Sequence, residues 1–280
     1  MRGSYSGNTL AFQANADSSI LLPRSTLRIC MEKIGFFGDS YVDMIWHRHP
    51  NAFPQKEKQP WSMRLCNDSA YTSVSSGLGG TNQYYALRSW QKHLEDQAGI
   101  CDYAIFTFTW EERLYHEDER IQMLLRGAAE RRVLTSDDIE YANRMKFAIH
   151  EYYDLLYSAD AAVAFYKYIT NEILCLPAQY PDTKFIFLPN TEFARKLVLQ
   201  KFQQGVLVNF SFEALSNHET GSPGPMPIRC GREGHLNDRN HDVMKDFVKN
   251  IIVNYKNYKN QILELELDKF DLSSLPEFPR

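Results

Sequence analysis

The 280-residue sequence lacks a strong excess of charge of either sign and has no long apolar run. Its formal net charge is −4 at pH 7. Proteins that bind the phosphates of nucleic acid usually carry a basic patch, so the composition argues against a nucleic-acid partner. The apolar stretch Ile20 to Leu22 is too short for a signal-peptide core or a membrane span. We therefore expect a cytoplasmic protein without a membrane partner.

Cysteine is also scarce. The sequence has five cysteines, at positions 30, 66, 101, 175 and 230. Their number is odd, and no two of them form a Cys-x-x-Cys pair. This pattern argues against a disulfide framework and a zinc site, and it is typical of a reducing compartment. We expect several cysteines to be buried as small apolar side chains.

Recognisable ligand-binding motifs are few. His47 and His49 form a His-x-His pair that could ligate a metal, but the sequence places no third ligand. The glycine-rich segment Gly77 to Thr81 could cradle an anion, yet it lacks the Gly-Lys-Ser/Thr ending of a phosphate-binding loop. We expect no metal and no cofactor, and we retain a nucleotide- or phosphate-binding protein as a minor alternative.

What the sequence does contain is a hydroxyl at the end of an apolar strand. The segment Lys33 to Ser40 reads KIGFFGDS, an apolar run typical of a parallel strand buried on both faces. Gly38 permits a tight turn. Asp39 and Ser40 are helix-capping residues, which predicts that Ser40 lies at a helix N-terminus, where backbone N–H groups favour negative charge. Ser40 is therefore either a helix cap or a nucleophile.

A histidine near the other end of the chain supplies a candidate base. Residues Gly234 to His241 read GHLNDRNH and run into an apolar-periodic stretch. His235 and Ser40 can meet if both lie at the carboxyl ends of neighbouring parallel strands. His241 is better explained as structural, and it is the alternative base.

At these residues the chain resembles the SGNH or GDSL family of serine hydrolases. The match covers Gly38-Asp39-Ser40, the glycine segment Ser75 to Asn82 and the His235 block, in the family's order over roughly 200 residues. The resemblance implies a three-layer α/β/α sandwich with a central parallel sheet, of the flavodoxin-like SGNH hydrolase type. It also implies that Gly80 gives the second oxyanion donor.

The third family block departs from its usual Gly-x-Asn-Asp. Counted from the preceding strand, Thr109 takes the place of the glycine and Glu111 that of the asparagine. An ionised carboxylate cannot donate a hydrogen bond, so Thr109 or Arg113 would have to donate instead. We assign these three residues, with Asp39 and Gly80, to oxyanion and substrate binding.

The last block departs from Asp-x-x-His. Arg232 stands where the family has the aspartate that orients the histidine, and the nearby acids Glu233 and Asp238 do not have that spacing. The sequence thus predicts a Ser40–His235 dyad, with Glu233 as the candidate for the third catalytic residue. An inactive protein that keeps the fold is the alternative.

The length of the chain and the order of its periodic segments predict one domain. Residues 1–30 are expected to be a poorly ordered extension, 31–265 the α/β domain with a helical insertion at 113–177, and 266–280 a tail. Helices are predicted at 61–66, 83–96, from Ser136 to Ala159, at 160–174 and at 238–259, and strands at 102–108 and 184–190, with a strand or turn at 205–210. Core packing, in preference to a sugar-binding groove, is expected for the insertion's aromatic residues Tyr152, Tyr153, Tyr157, Phe165, Tyr166 and Tyr168.

Taken with the resemblance, these residues imply an esterase. The expected substrate is an acetyl or short-acyl ester of a carbohydrate or small molecule, cleaved through an acyl-enzyme on Ser40. The sequence gives no indication of the oligomeric state.

Overall fold

A computed structural model describes most of the chain after residue 30. The described residues are 31–43, 59–68, 71–79, 81–96, 100–111, 113, 139–212, 236 and 238–271. The predicted extension at 1–30, residues 272–280 of the predicted tail and the predicted helix start at Ser136 lie outside them.

The described strands form one parallel sheet of six. They are β1 (Glu32–Phe37), β2 (Tyr71–Ser75), β3 (Tyr103–Phe108), β4 (Lys184–Pro189), β5 (Val206–Asn209) and β6 (Gln261–Glu264), in the order β2-β1-β3-β4-β5-β6. Every neighbouring pair runs parallel. The strands at 102–108 and 184–190 are confirmed, and the segment at 205–210 resolves as a strand.

Helices fill the connections between the strands. In the described part of the chain they are α1 (Trp61–Asn67), α2 (Gln83–Glu95), α3 (Ile139–Glu151), α4 (Ala159–Gln179), α5 (Glu192–Lys201), α6 (Asp238–Val253) and α7 (Tyr255–Tyr258). A π-helical turn, Tyr152–Leu156, follows α3, and a 3₁₀ turn, Leu267–Lys269, follows β6.

Two apolar cores show that the helices cover both faces of the sheet. Because side chains alternate along a strand, Phe36 packs into one core with α1 and α6, while Phe37 packs into the other with α2, α4 and α5. The sheet therefore lies between two helical layers, as the sequence predicts for an α/β protein.

Three predicted helix boundaries differ from the structure, one of them the end of α4, which runs to Gln179 instead of Leu174. The helix expected to continue to Ala159 ends in the π-helical turn, and α4 begins at Ala159, where the Ser158 hydroxyl accepts the Ala161 N–H at 3.2 Å. The last long helix stops at Val253, not Lys259. A new turn then brings Tyr255 to β4, where its hydroxyl accepts the Phe185 N–H at 3.0 Å.

The aromatic residues of the insertion do not pack as one core. Tyr166 is buried, but Phe165 and Tyr168 are exposed, and the three tyrosines of the π-helical region are only partly buried. The expectation of core packing is therefore right for Tyr166 and wrong for the rest, because the buried side of α4 begins only at Tyr166.

The described cysteines differ in their surroundings. Cys101 is buried and Cys175 is exposed. Burial raises the pKa of the Cys101 thiol to about 12 and that of Cys66 to about 11, which keeps both protonated and unreactive at neutral pH. Among the described helices, none is both long and apolar enough to cross a bilayer.

The phenylalanine ladder on one face of the sheet should dominate stability. Phe106 is fully buried and stacks on Phe37 with ring centroids 4.9 Å apart. Phe106→Ala should lower the free energy of unfolding by about 3–5 kcal/mol, because it leaves a cavity between rings. Phe147→Ala, whose side chain is 67% exposed, should change it by less than about 1 kcal/mol. Urea denaturation measures both, and equal losses would contradict this account of the core.

Candidate active site at the carboxyl ends of the strands

The topology of the sheet creates a crevice beside β1. The chain passes from β1 to β2 on one side and places β3 on the other, so the connections leave in opposite directions. Ligands of open α/β sheets bind at such a switch point, outside the carboxyl ends of the strands. Asp39 and Ser40 follow β1, Thr109 follows β3, and Asn190 follows β4.

A glycine turn carries the chain from β1 into this crevice. Gly38 has φ +154°, and a side chain there would collide with the Thr107 hydroxyl. Glycine is thus required by both backbone conformation and space. The Gly38 carbonyl accepts the N–H of Leu78 at 3.0 Å, which holds the glycine-rich segment against the turn.

The Asp39 carboxylate is the centre of the site's hydrogen-bond network. It is fully buried and accepts four hydrogen bonds. Oδ2 accepts from the Thr109 hydroxyl and from Arg113 Nη1, both at 2.8 Å. Oδ1 accepts from Asn190 Nδ2 at 2.8 Å and from the Tyr41 N–H at 3.2 Å. Four acceptor positions are occupied by four donors, and the charge is balanced by one guanidinium, so burial of the carboxylate is compensated.

Ser40 stands next to this buried carboxylate and is partly exposed. Neither its hydroxyl nor its backbone N–H has a hydrogen-bond partner among the described residues. The helix expected directly after Ser40 is not formed at residues 41–43. A turn takes its place, closed by a bond from the Val42 N–H to the Asp39 carbonyl at 3.1 Å.

The glycine segment approaches Ser40 closely. A Cβ on Gly79 would lie 3.5 Å from Ser40 Cβ and 3.2 Å from Asp43 Oδ2. The Gly79 N–H donates to that buried carboxylate at 2.8 Å. Asp43 therefore fixes the segment that leads into Gly80, the predicted oxyanion donor, which itself lies outside the described residues.

Of the two replacement donors that the sequence predicts, Arg113 is the one with N–H groups to spare. The Thr109 hydroxyl hydrogen goes to Asp39, and its backbone N–H donates to Gln83 Oε1 at 3.0 Å. Arg113 uses Nη1 for Asp39, the Thr81 carbonyl and the Thr109 hydroxyl oxygen. Its Nε and Nη2 have no partner among the described residues.

Glu111 lies on the same loop and is partly exposed. It is near Tyr166, whose pKa is raised well above its usual range by burial and, secondarily, by the negative charge of Glu111. A tyrosine in this environment stays protonated at neutral pH.

The candidate base and its acid lie outside the described residues, as do Cys230 and the His47/His49 pair. The dyad of Ser40 with His235 and the role of Glu233 therefore stay predictions. His241 is buried in the first turns of α6, and its Nδ1 accepts the Trp61 N–H at 3.2 Å. This bond joins α6 to the start of α1, which gives His241 a structural role.

Two residues of the network escape sequence reasoning. Asn190 ends an apolar strand, and Gln83 opens a helix; each has a common structural explanation in the sequence. The signal that could have found Asn190 is its position, because it directly follows β4, whose carboxyl end lies at the same edge of the sheet as that of β1. Gln83 offers no such signal.

Within the described ranges no group of His, Cys, Asp and Glu side chains has a geometry suited to a metal ion. A comparison of the sequence with models of protein families finds no match, and a comparison with curated proteins also finds none.

The buried ion pair of Asp39 and Arg113 should contribute to the free energy of unfolding. Asp39→Asn should lower the free energy of unfolding by about 3–5 kcal/mol, because the guanidinium stays buried opposite a neutral amide. Asp68→Asn is the matched control, since Asp68 forms an exposed ion pair with Lys245 at 2.9 Å. Its urea midpoint should stay close to the wild-type value. Similar midpoints for Asp39→Asn and the wild type would contradict the role of this carboxylate.

Proposed function

We propose that the protein is a serine hydrolase of the SGNH/GDSL type that cleaves an acetyl or short-acyl ester of a carbohydrate or small molecule. One observation carries the proposal. Ser40 sits at the switch-point end of β1 with an unpartnered hydroxyl and an unpartnered backbone N–H among the described residues. A nucleophile needs a free hydroxyl, and an oxyanion needs a free donor close to that hydroxyl.

The proposed reaction starts with proton transfer from Ser40. His235 accepts the proton as general base while the Ser40 oxygen attacks the ester carbonyl. The tetrahedral oxyanion is stabilised by the N–H groups of Ser40 and Gly80, with Arg113 as a further donor. The protonated His235 then gives its proton to the leaving alcohol, and water removes the acyl group from Ser40 by the reverse sequence. Glu233 is the proposed group that orients His235.

The network around Asp39 suits this reaction. The carboxylate neighbours the nucleophile, but it is saturated with donors and buried, so it is a positioning group and not a competing base. Arg113 is paired with Asp39 through Nη1, and its Nε and Nη2 groups are the donors that would stabilise the oxyanion in preference to the neutral ester.

A catalytically inactive binding protein is the second candidate. It is favoured by Glu111, which puts a carboxylate where the resemblance expects an amide donor. A carboxylate close to a developing oxyanion opposes the reaction unless Arg113 compensates it.

Activity and labelling distinguish the two candidates. The wild type should hydrolyse p-nitrophenyl acetate and react with a fluorophosphonate probe, with the label on the peptide that contains Ser40. Ser40→Ala should lower kcat by about 10³-fold or more and abolish the label, because no other group replaces the nucleophile. His235→Ala should lower kcat by about 10²–10⁴-fold.

The matched control is Ser73→Ala on β2, whose hydroxyl donates to the Ser75 carbonyl at 2.9 Å. It should retain wild-type turnover and labelling. Wild-type turnover in Ser40→Ala would refute Ser40 as the nucleophile. A wild type that neither turns over the ester nor takes the label would refute the hydrolase proposal and leave the inactive binding protein.

A further inference from the structure

A small cavity beside the proposed catalytic centre is lined by polar and aromatic groups of three elements. Gln83 comes from the start of α2, Glu111 and Arg113 come from the loop after β3, and Phe165 and Tyr166 come from α4. The space open to the centre of a water molecule measures about 10 Å³. A cavity of that size holds one water molecule or one hydroxyl group.

Gln83 is the feature that calls for a ligand. The side chain is 2% exposed, and its Oε1 accepts the Thr109 N–H, which fixes which end of the amide is the oxygen. The Nε2 atom is therefore a donor, and it is buried without a partner in the part of the chain that the structure describes. Buried donors are rarely left unpaired, so an acceptor is expected here.

The other polar groups narrow the chemistry of that acceptor. An anion would accept from Gln83 but would face the like charge of Glu111, while the Arg113 guanidinium is already paired with the buried Asp39 carboxylate. An ammonium group has no lone pair for Gln83 or for the spare N–H groups of Arg113. An apolar group would leave the Gln83 amide unpaired. A neutral hydroxyl group can accept a hydrogen bond from Gln83 Nε2 and donate one to the Glu111 carboxylate, so it satisfies both side chains.

The rim of the cavity is aromatic. Trp110 is 37% exposed and Phe165 47% exposed, and the rings of Tyr84 and Phe165 are 5.7 Å apart. Exposed rings offer apolar faces to the C–H surface of a hydroxylated ring. Behind them, the buried Tyr166 stays protonated, so it adds no second negative charge.

We propose that this cavity is a subsite that takes one hydroxyl group of a neutral, polyhydroxylated ring, with the ring itself lying on Trp110 and Phe165. The subsite deepens the proposed function, on which it rests, because it would bind the alcohol part of the ester. A cavity filled only by water is the alternative that the experiment must distinguish.

The subsite is tested by the binding of methyl glucoside, which ligand-observed NMR titration measures. Gln83→Glu keeps the oxygen that accepts from Thr109 but replaces the Nε2 donor by an acceptor. It should weaken methyl glucoside binding by at least about tenfold. Gln91→Glu is the matched control on the same helix, because its Oε1 bond from Arg88 at 3.0 Å is also retained. It should bind like the wild type.

A second variant tests the role of charge. Glu111→Gln should strengthen the binding of glucuronate by about fivefold, because it removes the like charge while keeping the side-chain shape. Glu95→Gln, at the exposed end of α2, should leave glucuronate binding unchanged. If the wild type does not bind methyl glucoside, or if Gln83→Glu binds it as tightly as the wild type does, the subsite is overturned and a water-filled cavity is left.

The hydrolase proposal and the subsite proposal can be refuted independently of each other. Ser40-dependent hydrolysis of p-nitrophenyl acetate without methyl glucoside binding would remove the subsite and keep the hydrolase. Methyl glucoside binding without any Ser40-dependent turnover would keep the subsite and remove the hydrolase.

Discussion

The buried carboxylate of Asp39 is the constraint on which the carboxyl edge of the sheet depends. A bare carboxylate in a protein interior is very unfavourable, so its four hydrogen-bond donors must all be in place. Those donors come from the turn after β1, the loop after β3 and the end of β4. The carboxylate therefore fixes three separate stretches of chain relative to one another, and Ser40 is the next residue along.

This arrangement explains how a loop residue can be held in place without a helix behind it. The turn at Gly38 is locked by the lack of space for a side chain, and the glycine-rich segment is tied to it by the Leu78 N–H and by Asp43. Beneath the turn, the aromatic ladder around Phe106 makes β1 and β3 a rigid base. Rigid elements below a hydrogen-bonded rim are what a preorganised site requires.

The parts of the structure that the sequence predicts are those governed by local rules. Apolar runs locate β1, β3 and β4, and the periodic stripe with Leu87 and Trp90 locates α2, because each pattern reports which side of an element is buried. The edge strand β6 and the helix α5 escape prediction. β6 is largely exposed and so carries a weak apolar signal, and α5 buries only Ala194, Leu197 and Val198, which is a short apolar stripe.

The site itself is predicted less completely than the fold. Ser40 and Asp39 are found because they end an apolar run, and Arg113 because it follows the next strand of the crevice. The partnership of Asn190 with Asp39 spans 151 positions, and no local pattern reports contacts over such a distance. The same holds for Gln83, whose amide bonds the loop after β3. Long-range pairing of polar groups depends on the folded topology, which periodicity does not encode.

A double-mutant cycle on Asp39 and Arg113 measures how strongly the buried carboxylate holds the carboxyl edge of the sheet together. Urea denaturation of the wild type, Asp39→Asn, Arg113→Gln and the double variant gives the coupling free energy of the two side chains. We expect a coupling free energy of about 1.5 kcal/mol or more, because each single variant leaves a buried charge unpaired and the double variant does not. Effects that add to within about 0.5 kcal/mol would show that the carboxylate does not hold the edge of the sheet together.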